Sequence, residues 1–181
     1  MLTSLEIADA RKTGASLLKL AGIVITPREA EEMEIADFGL GDLANTGLLI
    51  VVYVNTLRCC AKELVMLPHQ TCPQHRHPSV DKNLGKEETF RCRWGKCYLY
   101  VEGEPTANPV CRPPENSESH YTVWKEIVLD AGTQYTLQPD TWHWFQSGPQ
   151  GAIVSEFSTH STDKDDIFQD PRIARKTTVT E

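Results

Sequence analysis

The amino-acid sequence predicts an all-β protein that carries a short helical arm at its N-terminus. Helix start signals are confined to about the first 30 residues, whereas beyond about residue 34 the apolar residues follow a strand-like pattern. Several short strand-like segments follow one another without helices between them, which favours an antiparallel sandwich or barrel over a parallel α/β sheet. We expect one domain over residues 1–181, with the arm at about 1–40, the barrel at about 41–170 and a tail at 171–181.

Two capping boxes start the helices of the arm. Thr3 is followed three residues later by Glu6, and Thr26 is followed in the same way by Glu29. In such a box the threonine caps the helix and the glutamate bonds back to the capping residue. Pro27 occupies the first helical position of the second helix, where a missing N–H is tolerated. The arm is therefore predicted to contain two short helices.

The segments after the arm are typical of strands, because they are rich in Val, Ile, Tyr, Trp and Cys and are separated by turn residues. Residues 104–119 hold four prolines and show no apolar period, which indicates a long surface loop. The predicted strands are residues 48–55, 58–67, 89–101, 121–130, 132–137, 141–147 and 152–157.

Composition and charge argue against several classes of function. The chain has 18 Lys and Arg against 25 Asp and Glu, and its formal net charge of -7 has the wrong sign for binding nucleic acid or an anionic membrane. The longest apolar run, residues 47–54, is far shorter than the ~20 residues that span a bilayer. Charges are scattered through the start of the chain, so we expect a cytoplasmic protein whose six cysteines are free thiols.

The strongest chemical feature is the sequence His75-Arg76-His77. Alternate residues of a strand point to the same face, so the two histidines present their imidazoles to one centre, at a spacing that suits a metal ion. The pattern alone is weak, because buried imidazoles are also satisfied by backbone carbonyls. A metal site requires further donors.

Two further donors follow along the chain. Glu88 lies eleven residues beyond His77 and enters from the next predicted strand, and a sharp turn delivers His143 from a sequence-distant hairpin. Three imidazoles and one carboxylate suit a divalent transition metal with one or two open positions, as catalysis requires. We therefore expect one metal ion to be bound by His75, His77, Glu88 and His143.

At these donors the sequence resembles the cupin superfamily. The first cupin motif reads His-x-His, a spacer, Glu, six residues and Gly, and the chain matches it with Glu88 and Gly95 after a longer spacer than usual. The second motif reads Gly, five residues and Pro-x-Gly-x-x-His. Gly132 fits this motif, whereas Gln138 and Asp140 replace its proline and its glycine. The resemblance implies a cupin-type jelly-roll β-barrel.

Five longer stretches resemble one family within the cupins, the bacterial D-lyxose isomerases. This resemblance implies an aldose–ketose isomerase that interconverts D-lyxose and D-xylulose, and often D-mannose and D-fructose. It also implies a divalent metal, with Mn2+ preferred and Co2+, Zn2+ or Fe2+ as alternatives. Cupin barrels commonly pair through strands, so we expect a homodimer. The matching stretches are residues 25–43, 53–65, 70–78, 85–103 and 155–173.

The reaction of that family moves a proton between C1 and C2, so it needs a base as well as a metal. The resemblance points to Glu156 as the base, acting through an enediol, and to Lys82 as an acid or as a partner of the second sugar oxygen. Strand alternation places Glu156 on one face with Val154, inside the barrel, and a structural ion pair is the alternative. For Lys82 the alternative is a solvated loop lysine, since Lys86 lies in the same spacer.

Near the C-terminus, Arg172 and Asp166 are candidates for binding distal sugar hydroxyls or for bracing the mouth of the barrel. Ion pairing at the surface is the alternative. Two other functions stay open. One is a cupin Fe(II) dioxygenase, because three histidines and a glutamate also bind Fe2+, and the other is a non-catalytic sugar- or metal-binding cupin.

The tripeptide Asp37-Phe38-Gly39 matches a motif of protein kinases. However, the sequence contains neither a glycine-rich phosphate loop nor a His-Arg-Asp catalytic motif. We therefore interpret this match as coincidence.

Overall fold

The computed structural model describes residues 1–80 and 84–180 of the chain. Strands dominate these residues, and the all-β class expected from the sequence is confirmed. The helices of the arm are α1 (Ser4–Leu20) and α2 (Pro27–Glu32), and no helix in the described ranges has the length and apolar character needed to cross a membrane. The strands are β1 (Leu2–Thr3), β2 (Glu34–Ala36), β3 (Leu48–Asn55), β4 (Cys60–Met66), β5 (Thr71–Arg76), β6 (Glu88–Val101), β7 (Lys125–Asp130), β8 (Gln134–Leu137), β9 (His143–Ser158), β10 (Ile167–Phe168) and β11 (Val179–Thr180).

The helical arm packs on the outer face of the sheet. Both predicted capping boxes form, because Thr3 and Thr26 each accept a hydrogen bond of 3.2 Å from the backbone N–H of the glutamate three residues later. Gly14 of α1 approaches the sheet so closely that a Cβ atom there would lie 2.7 Å from Sδ of Met33. Leu49 of β3 and Met33 are fully buried in this outer core, so the arm covers part of β3.

The main sheet is antiparallel and runs in the order β10-β5-β9-β4-β3-β2. β6 lies against β9 along most of its length, while its other edge pairs with β8 and then with β7. The register between β6 and β9 shifts near Gly95, and such shifts bend and twist a sheet. The sheet therefore curls, and its concave face surrounds an apolar interior.

Three strand predictions differ from the structure. The segments predicted at 141–147 and 152–157 form one strand, β9, because β6 pairs with both halves while β5 and then β4 take the other edge. The strand predicted at 121–130 begins only at Lys125, since a 3-10 turn at Glu118–His120 precedes it. β5 has no counterpart among the predicted segments, although the His-x-His argument presumes a strand there.

Strand alternation separates the side chains of the interior from those of the outer core. Along β3, Leu48 and Ile50 belong to the interior cluster, whereas Leu49 and Val51 belong to the cluster under the helical arm. The C-terminal segment, residues 159–180, crosses one side of the interior. It is held there by short pairings of β10 with β5 and of β11 with β1.

Candidate active site

Three histidines meet in the interior. His75 lies near the end of β5 and His143 begins β9, and the two residues are directly paired across these strands. His77 follows just after β5. All three are buried, and one potential ligand atom from each lies within 4.8 Å of the others. The predicted His-x-His pair and the distant histidine are therefore brought to one centre.

Hydrogen bonds orient the three imidazoles. His75 and His143 each donate Nδ1–H to a backbone carbonyl two residues earlier in the chain, over 2.8 and 2.9 Å. Nδ1 of His77 lies 2.5 Å from Oδ1 of Asp166, a geometry in which the imidazole donates to the carboxylate. For His75 and His143 this bond favours the tautomer that leaves Nε2 available as a metal ligand. Burial acts to lower the pKa of His77, but Glu88, 3.1 Å from its Nε2, raises this pKa to about 9, so a metal ion would replace a proton there.

Glu88, the first residue of β6, adds a carboxylate to this group. Its Oε1 lies 3.1 Å from Nε2 of both His77 and His143. The contact with His143 lacks hydrogen-bond geometry, so the buried Nε2 of His143 has no hydrogen-bond partner among the described residues. Its Oε2 lies 2.9 Å from Nζ of Lys86. Burial acts to raise the pKa of Glu88, but Lys86 and His77 hold this pKa well below its ordinary value. The carboxylate is therefore ionised.

The four side chains fit a metal ion. Three imidazole nitrogens and a carboxylate oxygen form a donor set that suits a divalent transition metal, and the unpartnered Nε2 of His143 is explained if it is a ligand. The same cavity is lined by four carboxylates, two lysine ammonium groups and one guanidinium group. The carboxylates are those of Glu88, Glu156, Asp163 and Asp166, the ammonium groups are those of Lys62 and Lys86, and the guanidinium group is that of Arg175, which pairs with Glu34 and lies 3.7 Å from Oδ2 of Asp163.

Lys86 connects this donor set to the candidate base. Its Nζ lies 2.9 Å from Glu88 and 3.1 Å from Oε1 of Glu156, and only 3 % of its side chain is exposed. Burial acts to lower the pKa of Lys86, but Glu156 and Glu88 raise this pKa well above its ordinary value. A charged ammonium group therefore bridges a potential metal ligand and the carboxylate on β9.

A second lysine approaches Glu156 from the neighbouring strand. Lys62 of β4 is directly opposite Glu156 in the β4–β9 register, and its Nζ lies 3.5 Å from Oε1 of Glu156 and 2.5 Å from Oδ2 of Asp163. Asp163 also lies 3.1 Å from Lys86. Burial acts to raise the pKa of Asp163, but Lys86 and Lys62 hold this pKa well below its ordinary value. The C-terminal segment is thereby tied to the interior.

One cavity joins His75, His77 and Glu88 to the charged groups. Its free volume is about 30 Å³, which leaves room for roughly one or two water molecules. The arrangement offers cation ligands, an adjacent carboxylate that can move a proton, and an ammonium group that can stabilise developing negative charge. The apolar part of its lining consists of Phe38, Leu48, Ile50, Leu64, Cys72, Phe90, Phe145 and Phe168.

Residues 30–181 match the family model for D-lyxose isomerase. The chain belongs to the D-lyxose isomerase family. A D-lyxose/D-mannose isomerase from Thermosediminibacter oceani is 62% identical to it, over 97% of both chains. A D-lyxose ketol-isomerase from Cohnella laeviribosi is 58% identical over 94% of this chain and 93% of that protein. The chain is therefore an isomerase, as the sequence resemblance implies.

Solved structures with the same fold include L-ribose isomerases. The enzyme from Cellulomonas parahominis has a TM-score of 0.82 at 16% identity, over 99% of this chain and 98% of that one. The enzyme from an Acinetobacter species, in complex with L-ribose, has a TM-score of 0.81 at 17% identity over the same shares of the two chains. This likeness concerns the fold, and it confirms the expected cupin-type β-barrel with a short N-terminal helical arm for this member of the D-lyxose isomerase family.

The other residues singled out from the sequence occupy different places. Lys82 lies outside the described residues. Asp166 lines the cavity but is engaged with His77. Arg172 is half exposed, and it donates to the carboxylate of Asp170 and, over 2.9 Å, to Oγ of Ser117. Within the described chain, Arg172 does not reach the cavity lining.

Four charged residues of the site were not singled out from the sequence as members of it: Lys62, Lys86, Asp163 and Arg175. The sequence carries a signal for Lys62. This lysine lies two residues before Leu64 and four before Met66 in β4, so its side chain is on the same interior face as theirs. For Asp140, which replaces the motif glycine, the structure shows φ +64°, the left-handed conformation that a glycine would adopt readily. The turn before His143 is thus preserved in this D-lyxose isomerase family member.

Proposed function

We propose that this protein interconverts D-lyxose and D-xylulose, and also D-mannose and D-fructose, by metal-dependent proton transfer through a cis-enediol. The observation that carries the proposal is a cavity lined by His75, His77, Glu88, Lys86 and Glu156, with His143 beside the other two histidines and Glu88. Membership of the D-lyxose isomerase family supports the reaction class. The name of the relative from Thermosediminibacter oceani, D-lyxose/D-mannose isomerase, supports the second pair of sugars.

His75, His77, Glu88 and His143 are the residues that would hold the cation, and we propose Mn2+, with Co2+, Zn2+ or Fe2+ as alternatives. When bound, a divalent cation supplies a Lewis acid to the sugar oxygens on C1 and C2. Asp166 keeps His77 in the ligand orientation through its 2.5 Å contact with Nδ1. We prefer this role for Asp166 over contact with a distal hydroxyl, and we assign Arg172 to bracing the segment that carries Asp166.

Glu156 acts as the base in this proposal. Its carboxylate takes the proton from C2 of the open-chain aldose and returns it to C1, and the hydroxyl proton moves from O2 to O1. A single carboxylate that serves both carbons must act from one face of the intermediate, which requires a cis-enediol. Glu156 meets the needs of this role because it is 3 % exposed and lines the cavity of the potential metal ligands.

Lys86 takes the role that the family resemblance gives to Lys82. Its charged Nζ lies 3.1 Å from Glu156, so it can donate to the sugar oxygen on which negative charge develops while Glu156 holds the carbon-bound proton. The burial and contacts of Lys86 support this choice. Replacing each lysine by methionine tests it: Lys86→Met is expected to lower kcat by about a hundredfold or more, and Lys82→Met to change it little.

The function is tested by incubating the purified protein and Mn2+ with D-lyxose or D-mannose in D2O. We expect each sugar to approach equilibrium with its ketose, and deuterium to appear at C1, because a proton held by Glu156 exchanges with solvent. Glu156→Gln should abolish turnover while the protein still binds Mn2+. Absence of turnover across the aldopentoses and D-mannose would contradict the proposal. Oxygen consumption with Fe2+ would instead support a dioxygenase, which the charged lining of the cavity disfavours.

We also propose a cytoplasmic homodimer. All six cysteines lie in the described part of the chain and are free, five of them buried, as expected in a reducing compartment. Exposed apolar side chains at the end of β3, among them Val52 and Tyr53, offer a surface for pairing with a second copy. Light scattering on the purified protein tests the dimer.

A further inference from the structure

The turn at Asp37-Phe38-Gly39 holds a bulky residue in an unfavourable backbone conformation. Phe38 has φ +53°, in the left-handed region that a phenylalanine rarely adopts. Contacts on both sides hold the turn in place, because Oδ1 of Asp37 accepts from the backbone N–H of Gly39 over 3.0 Å and the carbonyl of Phe38 accepts from Ala174 over 2.9 Å. Such conformations persist where surrounding contacts enforce them, and they concentrate at functional sites.

This backbone conformation places the Phe38 ring in the wall of the cavity. The side chain is 2% exposed and lines the cavity of the potential metal ligands. The centroid of its ring lies 5.6 Å from that of Phe168, and the Phe168 ring stacks on the imidazole of His75 at 5.4 Å and 28°. Phe38 and Phe168 therefore form an aromatic wall on the His75 side of the site.

The charged groups contact a different part of the donor set. Lys86 contacts Glu88 and Glu156, so C1 and C2 of a reacting sugar lie toward these groups. For a sugar bound in this way, the part of the cavity that the aromatic wall bounds lies on the side away from these charged groups, where its remaining carbons would extend. Because the free volume is about 30 Å³, any sugar enters only as side chains of the lining move, and each further CHOH unit requires more room beside this wall.

We propose that Phe38 is a specificity-determining residue that limits the length of the sugar and favours a five-carbon over a six-carbon aldose. This inference rests on the proposed isomerase function. It also gives a role to the tripeptide Asp37-Phe38-Gly39, whose match to a kinase motif we interpret as coincidence. Phe38 acts through its volume, so a smaller apolar residue at this position relaxes the preference.

The experiment compares kcat/KM for D-mannose and D-lyxose in the Mn2+-loaded wild type and in Phe38→Leu. Leucine keeps an apolar side chain and the same left-handed backbone cost, but it removes the aromatic ring. We expect the ratio of kcat/KM for D-mannose to that for D-lyxose to rise by roughly tenfold, since one carbon unit in a tight pocket changes selectivity by about this factor. The control is Leu49→Ala, which alters a fully buried residue of β3 that faces the helical arm.

A rise of about threefold or more in Phe38→Leu, absent in Leu49→Ala, supports the inference. A smaller change, or an equal rise in the control, overturns it. If Phe38→Leu does not fold, as judged by circular dichroism and Mn2+ content, Phe38→Met has a volume closer to phenylalanine and is judged by the same criterion. Failure of the wild type to convert either sugar would overturn the proposed function, whereas an unchanged ratio in an active enzyme overturns only the role of Phe38.

Discussion

The contact between Lys62 and Asp163 ties the C-terminal segment to the barrel interior, and breaking it should have a measurable cost. The two charged atoms lie 2.5 Å apart, with 4 % and 20 % of the side chains exposed. Breaking a buried ion pair costs about 3–5 kcal/mol, and the lower end is favoured because Asp163 is partly exposed and keeps its 3.1 Å contact with Lys86. For Lys62→Met we therefore expect the free energy of unfolding to fall by about 3 kcal/mol, and Tm by roughly 6–12 °C in a chain of this size.

A double-mutant cycle separates the pair from other effects of each substitution. Urea unfolding with excess EDTA is measured for the wild type, Lys62→Met, Asp163→Asn and the double variant, so that metal binding does not contribute. The double variant should be more stable than additivity predicts by about 1–3 kcal/mol, because neither charge is then left without the other. The exposed pair Lys96 and Asp130, 2.9 Å apart, is the control and should show little coupling, because solvent screens it. A coupling below about 0.5 kcal/mol for the buried pair would refute the reasoning.

Three further outcomes are expected. His143→Ala should lower the Mn2+ content at least about tenfold in a metal assay, with loss of turnover, because it removes a ligand; full metal content would contradict the site. Phe38→Gly should be as stable as Phe38→Ala or about 1 kcal/mol more stable, since glycine relieves the left-handed backbone cost, and a less stable glycine variant would argue against strain. The pKa of Asp163 is lowered, so its stabilisation is present above the unfolded value of about 3.9 and is lost as the pH falls through the folded value. Acid titration of stability should be steeper in the wild type than in Asp163→Asn, and equal slopes would contradict this.

The parts of this molecule that sequence predicts well are those set by local spacing. The capping boxes at Thr3 and Thr26 depend on residues three positions apart, and they form as expected. Likewise, His75 and His77 share one face of β5 because side chains alternate along any strand. The family resemblance also allows His143 to be predicted as a metal ligand, although its position opposite His75 depends on pairing between distant strands.

The charged part of the site depends on contacts that local spacing does not encode. Lys62 lies 101 residues before Asp163 and meets it only because β4 pairs with β9 and the chain then returns over the interior. The sequence distinguishes Lys62 from a surface lysine only because Lys62 lies two residues before Leu64 and therefore shares the face of that apolar residue. Phe38 shows the same limit, since its tripeptide matches an unrelated motif and its unusual φ appears only in the folded chain.

A single strand carries both a proposed metal ligand and the proposed base. β9 begins at His143 and contains Glu156 thirteen residues later. Between them, Gly151 has φ +88°, and a Cβ atom at this position would lie 2.5 Å from the carbonyl oxygen of Met66. The separation between the proposed metal ligand and the proposed base thus depends on how one strand bends. Engineering this enzyme for a new sugar could therefore adjust that separation at the bend, leaving every reacting group unchanged.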